Sequence, residues 1–184
     1  MPANFNSLAV KYFKEFEIPL AGLGLGLHNY SFEIGAKFFS HLEYAAFEDG
    51  DVKVNLLLDK RENLIEFKFE LDGYVVVECA RCLDPLNQSI HHGTNHLIIK
   101  YGEHYLEESD EVLILPHDQH YFDLSHLIYE YISLLVPFKC THPVDENGKS
   151  ECNALMIKKL SEHRHEHHPD QRWDALKHLQ KKMK

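Results

Sequence analysis

The chain has 184 residues, 44% of them hydrophobic, which is enough for one domain with a filled core and excludes a chain disordered throughout. Its net charge is −10, with 29 acidic against 19 basic side chains, so most of its surface would repel a phosphate backbone. No run approaches the roughly 18 apolar residues of a membrane-spanning helix. Charged residues at Lys11, Lys14, Glu15 and Glu17 break the N-terminal stretch where a secretion signal would need an apolar core. The expectation is a soluble, cytoplasmic protein without a membrane partner, and in a reducing compartment the four cysteines point to metal binding or burial rather than disulfides.

Along the chain, Val10 to Ile34 reads as strands around a turn, with alternation at Tyr30, Phe32 and Ile34. Between them "AGLGLGL" places Gly22, Gly24 and Gly26 at period two. A phosphate-cradling loop needs a different spacing, so a loop or strand edge is the reading. "GAKFFSHLEY" then forms a short helix or a bend.

The clearest pattern follows. "DVKVNLLLD" puts Val52, Val54, Leu56 and Leu58 on one side of a strand, and "LIEFKFELDG" does the same with Ile65, Phe67, Phe69 and Leu71. "LDKREN" joins them as a hairpin turn, and Asp72-Gly73 is expected to turn the chain into a third strand, "GYVVVECA". "NHLIIKY" and "EVLILP" are two more strands, separated by an acidic linker from Gly102 to Glu111. The period then changes: "DLSHLIYEYISLLVPF" spaces Leu124, Leu127, Ile128, Tyr131, Leu134 and Leu135 as an amphipathic helix laid on the sheet, with Asp123 as N-cap and Pro137 as stop. Short helices are expected from Asn153 to about His163 and within "PDQRWDALKHLQKK", where Trp173, Leu176 and Leu179 share a stripe.

The fold class is therefore α+β: a mainly antiparallel sheet, curled or barrel-like, packed by one amphipathic helix, with short helices at the C-terminal end. Residues 1–160 are read as a single domain carrying the cysteines. Residues 161–184 are read as a His-rich linker, with His163, His165, His167 and His168, followed by a short basic helix.

Four cysteines and a histidine carry the chemical signal. Cys79 and Cys82 form a C-x-x-C, and Cys140 and Cys152 lie in a later loop with His142 between them. Thiolates and imidazole bind zinc tetrahedrally, and a C-x-x-C turn fills two of the four positions. The set holds one donor more than such a site needs. A redox pair wants its C-x-x-C at a helix start, where the thiol pKa falls, whereas this one follows a strand and runs into Leu83-Asp84-Pro85. Burial of four unligated cysteines is the plain alternative. Asp123, Ser125 and His126 are neighbours on one helix start, a poor arrangement for a hydrolytic triad. No other catalytic constellation stands out, and no small-molecule substrate is evident.

"ECARC" at a strand end, "FDLSHLIYEYISLLVPFKCTHP", the downstream Cys152 and a terminal "DQRWDALKHL" together resemble the bacterial YceD family, the large ribosomal RNA subunit accumulation proteins. The resemblance covers about the C-terminal two-thirds of the chain. It implies a non-enzymatic cytoplasmic protein whose gene commonly neighbours that of a large-subunit ribosomal protein and whose loss in some lineages lowers large-subunit ribosomal RNA. It also implies a structural zinc site of Cys79, Cys82, His142 and Cys152, with Cys140 as the spare. Its expected partners are large-subunit ribosomal RNA or ribosomal proteins. By charge, the candidate contacts with RNA or another partner are Arg81, Arg172, Lys177, Lys181, Lys182 and Lys184, and the acidic stretch from Glu103 to Glu111 is the candidate for a basic protein. A small zinc enzyme and a metal- or redox-handling protein are the alternatives.

Overall fold

A computed structural model describes residues 12–42, 44–102, 112–146 and 148–163. They fall into two compact units divided after Thr141.

The first unit is built on an open five-stranded sheet of β2 (Gly26–Gly35), β3 (Gly50–Lys60), β4 (Leu64–Glu78), β5 (Pro85–Tyr101) and β6 (Val112–Leu115), in that spatial order. The first four form an antiparallel meander, and β6 joins β5 in parallel. The sheet does not close into a barrel: β2 pairs with β3 alone and β6 with β5 alone among the described residues. A separate two-stranded ribbon pairs β1 (Glu17–Pro19) with β7 (Tyr121–Asp123). Tyr12 to Phe16, expected as strand, is helical, ending in a 3₁₀ turn at Lys14–Phe16. That turn sets Phe16 into an aromatic cluster, 5.1 Å from Phe38 on the short helix α1 (Ala36–Ser40).

Alternation along the hairpin decides the core. Val52, Val54, Leu56 and Leu58 from β3 and Ile65, Phe67, Phe69 and Leu71 from β4 are all buried. Each such side chain contributes about 1.5–3 kcal/mol of transfer free energy. The helix α2 (Ser125–Leu135) covers this face through Leu124, Ile128 and Ile132, a stripe at spacing four. Leu134, expected on the stripe, is 78% exposed, and Ile132 takes its place. Asp123 Oδ1 accepts from the Ser125 N–H at 2.8 Å and so satisfies one of the helix's open donors. Val136 leaves the helix in extended conformation ahead of Pro137, as the proline ring requires.

One further expectation changes. Asp72-Gly73 is not a turn: β4 runs unbroken through it, with a register shift between Leu71 and Gly73. Gly73 has φ +145, and a Cβ there would lie 2.0 Å from the Asp51 carbonyl oxygen, so only glycine fits this bulge. The glycine run is held by its carbonyls. Lys60 Nζ donates to the Leu20 and Leu23 oxygens, both at 2.7 Å, which is the opposite polarity from a loop that offers N–H groups to phosphate.

The second unit contains a tight loop from His142 to Cys152 and the helix α3 (Ala154–Glu162). Asn153 caps α3 by accepting from the Leu155 N–H at 3.0 Å. No residue of α3 is buried. No described helix is long and apolar enough to cross a membrane.

Candidate metal centre

The C-x-x-C lies in the turn that joins β4 to β5. Glu78 pairs with Pro85, the Cys79 N–H donates to the Asp84 oxygen at 2.9 Å, and the Leu83 N–H donates back to the Cys79 oxygen at 2.9 Å. These bonds coil six residues into a knuckle and turn both thiols inward: Cys79 is 0% and Cys82 1% exposed. Closing the knuckle requires a left-handed residue after the second cysteine. Leu83 fills that position at φ 63, the one non-glycine residue with positive φ among those described. Holding leucine there costs about 1–2 kcal/mol relative to the right-handed region.

The later loop is a miniature hairpin. Val144 bridges Ser150, the Asp145 N–H donates to the Lys149 oxygen at 2.8 Å, and the Glu151 N–H donates to the Pro143 oxygen at 3.1 Å. Gly148 turns the tip at φ 79, and Asp145 Oδ1 accepts from the Lys149 N–H. His142 and Cys152 flank this hairpin, one residue outside the Glu151–Pro143 bond on either side. The turn chemistry of "DENGK" is the sequence signal for this hairpin, whose flanks carry two candidate ligands ten apart in sequence.

Cys79 and Cys82 on the knuckle of the first unit, and His142 and Cys152 on the small hairpin of the second, are the four candidate ligands. The donor set, three thiolates and one imidazole, is of the kind that structural zinc takes. Cys140 is outside this group. Its Sγ donates to the Pro137 oxygen at 3.2 Å, and its carbonyl accepts from the Ala80 N–H at 2.8 Å. Burial, and next the nearby Cys79, push the Cys140 thiol pKa up.

Arg81 is exposed on the knuckle. Arg172, Lys177, Lys181, Lys182 and Lys184 lie outside the described residues, as do the acidic stretch from Glu103 to Glu111 and His165, His167 and His168. Asp123, Ser125 and His126 do not assemble a triad: Leu124 takes the N-cap position expected for Asp123, whose carboxylate accepts from the Ser125 N–H, while Ser125 is fully buried and His126 is exposed.

No curated protein and no solved structure matches the chain. A family model described as large ribosomal RNA subunit accumulation protein YceD matches residues 67–180, a span that runs from β4 past α3 and contains all four residues of the thiolate–imidazole cluster. On that match, which covers more than half of its length, the chain belongs to the YceD family.

Proposed function

We propose that this protein supports the accumulation of large-subunit ribosomal RNA as a non-enzymatic binding factor, and that Cys79, Cys82, His142 and Cys152 hold a structural zinc. The family match over residues 67–180 carries the first part. The second rests on the donor set. Three cysteines and a histidine supply four ligands, the full set for a tetrahedral shell with no position left for a reacting water. Zinc held in this way contributes folding free energy, since the unfolded chain has no formed site. The partner is large-subunit ribosomal RNA or a ribosomal protein, met in the cytoplasm.

The test is depletion of the protein in its source bacterium, with the ratio of large- to small-subunit ribosomal RNA as readout. The ratio is expected to fall, to recover with the wild-type chain, and to stay low with Cys79→Ser/Cys82→Ser. An unchanged ratio on depletion would remove the ribosomal reading. Gradient sedimentation at low and raised salt then separates partners: co-migration with large-subunit particles that is lost as salt rises marks a charge-held contact.

A further inference from the structure

The strained leucine of the knuckle is 62% exposed, although glycine at that position would carry no steric cost. A large apolar side chain kept in a left-handed conformation and pointed at solvent calls for a use outside the fold. Leu83 forms one wall of an open groove of about 380 Å³, lined also by Val76, Val77, Pro85, Glu48 and Glu78. The groove opens where β3 begins: the Val76 N–H still pairs with the Asp49 oxygen at 2.9 Å, and the chain before Asp49 does not follow β4. Its far wall is fixed in place. The Ala46 N–H donates to Tyr129 Oη at 2.8 Å, and Phe47 is buried beside Phe39.

The lining combines apolar surface with two carboxylates, and no lysine or arginine contributes to it. Glu48 and Glu78 are both exposed, and neither forms an ion pair with a described residue. This chemistry repels nucleic-acid phosphate and complements a cationic chain bearing an apolar side chain. We propose that the groove between Leu83 and Glu48 is a docking site for a basic protein segment, which sets an aliphatic or aromatic side chain against Leu83, Val77 and Pro85 and its flanking lysines or arginines against Glu48 and Glu78.

The probe is a fluorescein-labelled synthetic nonapeptide with one central phenylalanine flanked by lysines and arginines, titrated against the full chain by anisotropy at low salt. Controls replace the basic residues by glutamate, or the phenylalanine by alanine. Saturable binding of the basic peptide is expected, weakened at least tenfold by Leu83→Gly and by Glu48→Gln/Glu78→Gln, with a shallower salt dependence for the double variant. Leu83→Gly relieves the left-handed strain, so its metal content and Tm should equal or exceed those of the wild type, which separates loss of docking from loss of fold. Absence of binding, equal binding of the glutamate control, or unchanged affinity of Leu83→Gly would overturn the proposal. So would an RNA oligonucleotide whose binding is lost in Leu83→Gly. The titration uses purified protein and reads the groove alone, whereas the ribosomal RNA ratio reads the family function, so either can fail while the other stands.

Discussion

The backbone N–H of Ala80 donates to the carbonyl oxygen of Cys140 at 2.8 Å, so the middle of the C-x-x-C knuckle is fastened to the chain that leaves α2. Cys140 thus supports the knuckle through its main chain, and its thiol is turned toward the Pro137 oxygen. Substitution of this cysteine should leave the ligand set intact. Cys140→Ser is expected to retain one zinc per chain, while Cys79→Ser, Cys82→Ser and Cys152→Ser each lose it or bind at least tenfold more weakly. Metal content by mass spectrometry after dialysis against a mild chelator checks this, and loss of zinc from Cys140→Ser alone would exchange the roles of Cys140 and His142.

Chelation of the wild-type chain tests the structural role proposed for zinc. Stripping with a strong chelator should lower Tm by several degrees and expose the knuckle thiols to alkylation, with recovery on adding zinc. Unchanged Tm and protected thiols after complete stripping would leave the four residues as a buried cluster and no more.

Gly73 and Gly93 offer a contrast in backbone against side-chain crowding. A Cβ at Gly73 would meet the Asp51 carbonyl at 2.0 Å on a neighbouring strand, at a φ of +145. Neither the sheet nor the dihedral can yield cheaply, so Gly73→Ala should destabilise by about 3 kcal/mol or more. At Gly93 the obstacle is Leu135 Cδ1 at 2.2 Å, the free end of a rotatable side chain on α2. Gly93→Ala should cost about 1–2 kcal/mol as that leucine shifts. Urea denaturation of the two variants gives the order directly, and a larger loss at Gly93 would contradict it.

The same bulge marks the boundary of what the sequence discloses. Strict alternation from Val52 to Leu58 and from Ile65 to Leu71 identified a buried face correctly, because period two admits no other structure over that length. Asp72-Gly73 misled, since a tight turn and a glycine bulge use the same local chemistry; the choice between them is made by the pairing of Gly73 with Val52, 21 residues away. β5 was half invisible for a related reason. Its first ten residues, "PLNQSIHHGT", are mostly polar without alternation, and only their pairing with β4 makes them strand. The metal cluster was legible as residue types, but the separation of His142 from Cys140 needed the small hairpin from Pro143 to Glu151.

The outer face of the sheet has its own pH dependence. Glu66 accepts from His96 Nε2 at 2.6 Å and lies within 3.4 Å of Lys68 Nζ and 3.2 Å of Arg61 Nη2. The His96 hydrogen bond first, and then Lys68, hold the Glu66 carboxyl below its ordinary range. Because the folded pKa is the lower one, the unfolded chain binds the extra proton. The contribution is therefore fully present above the ordinary carboxylate pKa and is lost as pH falls through the depressed one. Urea midpoints measured from neutral pH into that acidic window should fall more steeply for the wild type than for Glu66→Gln. Parallel profiles would show that solvent screening removes the effect at this surface.

Ser125 separates a structural reading of the α2 terminus from a catalytic one. Its side chain is fully buried and its Oγ has no hydrogen-bond partner, while its N–H is satisfied by Asp123. A buried hydroxyl without a partner has lost its water and gained nothing in return, so deleting the oxygen removes a penalty. Ser125→Ala should stabilise the protein by up to about 1 kcal/mol and leave ribosomal RNA accumulation unchanged. Asp123→Ala should do the reverse and cost about 1 kcal/mol, because the open N–H at the helix start loses its acceptor. A nucleophilic serine would give the opposite pattern: function lost on Ser125→Ala with stability unaffected. Measuring Tm and the ribosomal RNA ratio on the same two variants distinguishes them, since a helix cap and its buried neighbour move stability alone.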